Sequence, residues 1–173
     1  MSAAKKQVLI PVEDLYEDLE LHYPRLRLIE AGAAVTVAGT GAAGFAGKKG
    51  YPCKPDAHLR DLRSGTFDAV VVPGGFAPDK LRVDPHCLRL VKDAFERGAL
   101  VAAICHAGWV LISAGIVKGK KMTSVDRLRD DLVNAGAAWE DREVVIDGNL
   151  ITSRTPEDLP AFMRAILGWF AER

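Results

Sequence analysis

Aromatic side chains are scarce in this chain, at 7% of residues, and no apolar stretch approaches the length of a membrane span. The first apolar run, Val8-Leu-Ile-Pro-Val12, has the length of a strand, far short of the roughly 20 residues a spanning helix needs. It is equally short for the core of a secretory leader, and none is expected. Net charge is lacking as well, because 23 Lys and Arg balance 23 Asp and Glu. That balance argues against a protein whose main task is to hold nucleic acid or an anionic membrane. It also leaves little electrostatic repulsion against self-association. Cysteine is limited to Cys53, Cys87 and Cys105, without a CxxC pair or a histidine at ligand spacing. An odd, unframed count suggests reduced thiols and a cytoplasmic setting. Clusters of His, Asp and Glu are missing, as are GxGxxG and P-loop signatures after a strand, so no metal and no cofactor are expected. Repeats, linkers and low-complexity segments are absent too, and residues 1–173 are expected to form a single domain.

Alternation is what the chain does contain. Short apolar runs at Val8–Val12, Ala33–Ala38, Phe67–Val72 and Leu100–Ile104 read as buried strands. Helical spacing separates them. Glu17–Ala31 carries Leu19, Leu21, Leu26, Leu28 and Ile29, with Pro24 expected to kink it or limit its first turn and Gly32 to stop it. Asp84-Pro85 reads as cap and first residue of a helix reaching Arg97. Further helices are expected over 107–114, 126–135 and 156–171, the last capped by Thr155. Residues 39–55 suggest a small hairpin, and Asp147-Gly148 marks a tight turn between two late strands. Continuously apolar strands between helices imply a mostly parallel sheet covered on both faces. The expected fold class is therefore α/β, a flavodoxin-like three-layer sandwich with a small hairpin.

Ligands of such sheets bind at the carboxyl ends of the strands. Three segments reach that edge with unusual residues: 13–17, 73–80 and Cys105-His106. A strand that yields to a helix within one residue must turn sharply and push that residue outward. Cys105 would then sit at a helix N-terminus, a position expected to favour its thiolate. The N–H of His106 is a natural oxyanion donor, and Gly74 and Gly75 could bring a second N–H close. The His106 side chain can serve as general acid or base. A lone cysteine at a strand end is more often a small buried hydrophobe; the adjacent histidine and the elbow tip the balance here.

Ala103-Ile-Cys-His106 with Leu111-Ile-Ser-Ala-Gly115 resembles the nucleophile segment of the PfpI/ThiJ family. Val72-Pro-Gly-Gly-Phe-Ala-Pro78, Tyr16-Glu-Asp-Leu-Glu20, Asp130–Gly136 and Val145–Arg154 resemble other segments of the same family, in the same order. The resemblance implies Cys105 as nucleophile, His106 as its partner, and Glu17 as the protonated acid that bonds the sulfur. It implies Gly75 and the N–H of His106 as oxyanion donors, with Gly74 beside them. It further implies that Asp79, supplied by a neighbouring subunit, orients His106, although Asp is shorter than the family's usual Glu. Ala107-Gly108-Trp109 departs from the Gly-Pro that commonly follows the histidine, which changes the pocket wall.

The expected function is that of a cofactor-independent cysteine enzyme acting on small carbonyl substrates, of the 2-oxoaldehyde or deglycase kind, in stress protection. Two alternatives stay open: an intracellular peptidase and a non-catalytic redox sensor or chaperone. A glutamine amidotransferase would want a late histidine, and residues 126–173 contain none. The expected partners are a small carbonyl or peptide substrate and further copies of the chain, as a homodimer or higher homo-oligomer.

Overall fold

A computed structural model describes residues 3–172. In chain order its elements are β1 (Gln7–Val12), α1 (Asp18–Glu30), β2 (Ala34–Gly39), β3 (Phe45–Ala46), β4 (Pro52–Cys53), β5 (Ala57–His58), β6 (Ala69–Val72) and α2 (Ala77–Leu81). They continue with α3 (Pro85–Glu96), β7 (Leu100–Ile104), α4 (Gly108–Ser113), β8 (Lys121–Met122), α5 (Arg129–Asn134), β9 (Ala138–Trp139), β10 (Val144–Asp147), β11 (Leu150–Ser153) and α6 (Leu159–Ala171).

Seven strands form the central sheet in the order β10-β11-β7-β6-β1-β2-β5. Every pairing in it is parallel except the hairpin β10–β11. The apolar runs of β1, β6 and β7 lie at its centre and are buried almost throughout. From β1 the chain steps to β2 on one side and later to β6 and β7 on the other. Right-handed crossovers then place α1 and α3 on opposite faces. Consistent with that, α1 packs on α6, whereas α3 packs on α4, β6 and β7.

The point where the strand order reverses lies between β1 and β6, and crevices open there in parallel sheets. Their shared register stops at Leu9 opposite Val70, while β1 stays paired with β2 through Val12. Pro11, which has no N–H to donate, sits in the part of β1 that has parted from β6.

Most element boundaries follow local signals. Asp84 caps α3 by accepting from the N–H groups of His86 and Cys87 at 2.9 and 2.8 Å. Gly148, at φ 64°, turns the β10–β11 hairpin. Pro24 lies inside α1, past its first turn, where it removes the N–H that the Glu20 carbonyl would accept. Two expectations change. Residues 126–135 form a 3-10 turn before a short α5. Thr155 precedes a 3-10 turn and makes no side-chain cap bond.

Candidate active site

At the carboxyl edge of β7 the chain turns within one residue. Ile104 is extended, whereas Cys105 has φ +62°, a left-handed conformation that costs a non-glycine residue about 1–3 kcal/mol. That geometry lifts the side chain above the sheet, into the crevice between β1 and β6. The sulfur is nearly enclosed, with Cys105 only 9% exposed. The Nδ1 atom of His106 lies 3.2 Å from Sγ. The N–H groups of His106 and Gly75 both point at the sulfur and favour its anion.

Gly74 and Gly75 are small because of what surrounds them. A Cβ on Gly74 would come within 2.6 Å of Oε2 of Glu20 and 2.7 Å of Cβ of Cys105. Gly75 has φ +80°, and its Cβ would meet the Glu17 nitrogen and the Leu15 carbonyl oxygen at 2.4 Å. The segment 74–76 is therefore pressed against 15–17. Glu17 N–H donates to the Gly74 carbonyl at 3.1 Å, and Phe76 N–H to the Leu15 carbonyl at 2.8 Å.

Of the three acids in Tyr16-Glu-Asp-Leu-Glu20, the one beside the sulfur is Glu20, where Glu17 was expected. Glu17 lies outside the helix at φ −75°, ψ 122°, and its carboxylate accepts from the Glu20 N–H at 2.9 Å. It is the N-cap of α1, not the sulfur's neighbour. Glu20, one turn on, points into the crevice and is fully buried. Its Oε2 accepts from Gly74 N–H at 2.8 Å, while Oε1 is left without a hydrogen-bond partner in the resting geometry. The carboxyl is close enough to the sulfur that each group shifts the other's ionisation.

Burial pushes Glu20 up to about 8, against an ordinary value near 4.5, so it holds its proton at neutral pH. The same burial, followed by the charge of Glu20, raises the Cys105 thiol, and the His106 and Gly75 N–H groups counter only part of that rise. Desolvation and the charge of Glu20 thus act against the thiolate, and the N–H groups of the elbow act for it. A protonated Glu20 removes the charge that opposes a thiolate and leaves an O–H available to it. His106 is lowered, first by burial and then by the charges of Lys48 and Arg127, which keeps its ring neutral and able to accept a proton.

The ionisation of Glu20 is linked to stability. Its folded pKa lies above its unfolded one, so the folded protein holds an extra proton between about pH 4.5 and 8. Its contribution is complete below that window and is lost as pH rises through it, at up to about 1.4 kcal/mol per pH unit. Urea midpoints should therefore fall from pH 5 to pH 9, and fall less steeply in Glu20→Gln. Parallel profiles for the two proteins would place the titration elsewhere.

Asp79 does not join the cluster within this chain. It lies on the short helix α2, exposed, with no ion pair or side-chain hydrogen bond among the described residues. The mouth of the crevice is aromatic: Phe76 stacks on His106 with centroids 6.3 Å apart, and Trp109 tilts against it at 5.3 Å. Asp131 fixes Trp109 by accepting from Nε1 at 2.8 Å. The other thiols lie elsewhere. Cys87 is buried inside α3, where desolvation raises its pKa. Cys53 is buried beside His22, Arg25 and Tyr51 at a cleft of about 620 Å³ that does not include Cys105. No group of three or more potential metal ligands occurs among the described residues.

Sequence reasoning passed over Glu20, which stands in the first turn of α1 three residues after Glu17 with no local mark that it is the buried acid.

The sequence profile of the DJ-1/PfpI family matches residues 6–168. The deglycase PfpI of Pyrococcus furiosus is 46% identical over 149 residues, covering 86% of this chain and 90% of that protein. Protein/nucleic acid deglycase 2 of Escherichia coli is 38% identical over 165 residues, covering 94% and 96%. A crystal structure from Anabaena variabilis, with DJ-1/ThiJ/PfpI-like and ferritin-like domains, superposes with a TM-score of 0.94 at 43% identity. That likeness covers 96% of this chain and 48% of the two-domain protein, so the chain spans about half of that structure's length. The chain belongs to the DJ-1/PfpI family.

Proposed function

We propose that this protein is a cysteine enzyme acting on small carbonyl compounds, either 2-oxoaldehydes or the adducts they form with amines and thiols. The observation that carries the proposal is the convergence on one nearly enclosed sulfur of His106 Nδ1, two backbone N–H groups and a buried carboxyl. Two relatives named as deglycases support the same chemistry.

For a 2-oxoaldehyde the steps balance without an external oxidant or reductant. His106 takes the thiol proton as the sulfur attacks the aldehyde carbon, forming the S–C bond; the N–H groups of His106 and Gly75 stabilise the oxyanion, which then receives that proton to give a hemithioacetal. His106 carries a proton from that carbon to the neighbouring carbonyl oxygen, giving an enediol, and the first hydroxyl's proton then passes to the second carbon, which oxidises the first carbon to a thioester and leaves the second as an alcohol. Water then cleaves the thioester, releasing the 2-hydroxy acid and the thiol. Glu20 holds a proton beside the sulfur throughout. Phe76, Trp109 and the His106 ring narrow the entrance, which suits a small molecule better than an extended peptide.

Asp79 belongs to the reaction only if a second copy carries it to His106. An active, strictly monomeric protein would remove it from the site.

The test is a three-substrate comparison with reduced protein: lactate release from methylglyoxal, removal of methylglyoxal adducts from N-acetyl-lysine, and cleavage of fluorogenic peptides. Turnover is expected on one or both of the first two, falling by roughly 10²-fold or more in His106→Ala. Peptide cleavage without carbonyl turnover would overturn the proposal in favour of a peptidase. Stoichiometric oxidation at Cys105 without any turnover would overturn it in favour of a sensor.

A further inference from the structure

The mouth of the site carries charge that the chemistry above does not consume. Lys48 is placed there by backbone geometry. Its N–H donates to the Tyr16 carbonyl at 2.8 Å. Tyr16 bridges Gly47 on one side and Gly75 on the other, so three segments lie side by side against the oxyanion donor. The loop that follows is clamped by Asp18, whose carboxylate accepts from Lys49 N–H at 2.8 Å and Tyr51 N–H at 3.0 Å. A Cβ on Gly47 would collide with that carboxylate at 2.3 Å, so the clamp is closed tightly.

From this fixed base the Lys48 side chain crosses the face of Phe76, with Nζ 5.8 Å from the ring centroid, and Phe76 in turn stacks on His106. Arg127 approaches His106 from the exposed turn Asp126–Leu128. Neither cation forms an ion pair among the described residues, whereas Lys80, Lys92 and Lys120 are paired with Glu13, Glu96 and Asp147. Three nearby acids are otherwise engaged, while Asp79, Asp126 and Asp130 are exposed and form no ion pair with Lys48 or Arg127 among the described residues. Asp18 is held by the loop N–H groups, Asp131 by Trp109, and Glu20 is buried against Gly74.

Resting on the carbonyl reading above, we propose that Lys48 and Arg127 select anionic substrates, with a carboxylate or phosphate a few bonds from the carbonyl that Cys105 attacks. Lys48 is exposed, and the face of Phe76 holds its Nζ beside the entrance, where the charge attracts an arriving anion. Lys48 reads the charge beside Phe76, and Arg127, exposed on its turn, adds a second positive charge near enough to act on the His106 ring. The substrate class is thereby narrowed from carbonyl compounds in general to acidic ones, such as 2-oxo acids bearing an aldehyde or adducts of sugar phosphates.

The test uses two alkylating agents of nearly equal size, anionic iodoacetate and neutral iodoacetamide. Each forms an S–C bond to Cys105 and releases iodide, and modification is followed at the Cys105 peptide by mass spectrometry. The iodoacetate-to-iodoacetamide rate ratio, divided by that of 2-mercaptoethanol, is expected to be about 5-fold or more above unity and to shrink with added salt. Lys48→Gln should return most of that excess to unity, Lys48→Arg should retain it, and Arg127→Gln should lower it in part. The iodoacetamide rate within each variant reports whether the site is still folded. A ratio near unity in the native protein, or one unchanged in Lys48→Gln, would overturn the inference. Alkylation needs only the thiol, so this result stands apart from whether the protein turns over carbonyl substrates.

Discussion

Cys105→Ser is expected to lower carbonyl turnover by about 10³-fold or more, and Glu20→Gln by roughly 10²-fold, with the fold retained in both. The serine hydroxyl fits the space of the thiol, but its far higher pKa leaves it un-ionised in a site where burial already opposes charge. The Glu20→Gln change keeps an oxygen for the Gly74 N–H and removes the acidic proton beside the sulfur. Glu17→Gln supplies the contrast. Its amide oxygen can still accept from the Glu20 N–H, so it should leave turnover within a few-fold of the native protein. The measurement is steady-state turnover of the four proteins on one carbonyl substrate, with thermal melts as a folding control. A damaging Glu17→Gln beside a silent Glu20→Gln would return the acid's part to the residue that the sequence resemblance implied.

Gly75→Ala is expected to cost about 3 kcal/mol or more and to shift the melting temperature by about 10 °C. Two effects combine. The backbone is left-handed at φ +80°, and the new methyl would sit 2.4 Å from both the Glu17 nitrogen and the Leu15 carbonyl oxygen. Those atoms are backbone, so relief requires the 74–76 segment to move away from 15–17. That movement also displaces the N–H aimed at the sulfur, and turnover should fall by roughly 10²-fold in whatever protein folds. Gly148→Ala isolates the first effect, because Gly148 also has positive φ but open space around it. It should cost about 1 kcal/mol and leave turnover intact. Equal costs at the two glycines would mean that the close approach at Gly75 relaxes freely.

Much of the fold was readable because its signals are local. The apolar runs of β1, β6 and β7, the Asp84-Pro85 start of α3 and the Asp147-Gly148 turn each state their conformation within a few residues. Short pieces were not readable. A five-residue helix such as α2, opened by Phe76-Ala-Pro, carries too little periodicity to separate from a loop, so Asp79 was placed on the segment after β6 without its helix. The 3-10 turns ahead of α5 and α6 escaped for the same reason.

The site divides along the same line. Cys105 and His106 announce themselves because an elbow needs only a strand end and its next two residues, and Gly74-Gly75 because a tight approach needs small residues in sequence. The acid was different. Glu17 and Glu20 stand three apart at the start of one helix, and nothing local says which is capping and which is buried. The choice is made by Gly74, 54 residues from Glu20, whose N–H takes the Glu20 carboxyl while its carbonyl takes the Glu17 N–H. The ionisation of the thiol was decided in the same way, since desolvation is a property of everything packed around a group. The sequence by itself determined the strands, the elbow and the candidate nucleophile, because backbone conformation follows from neighbours along the chain. Only the tertiary structure decided which carboxyl meets the sulfur, which protons the pair holds and which cations stand at the entrance, because those depend on residues that folding alone brings together.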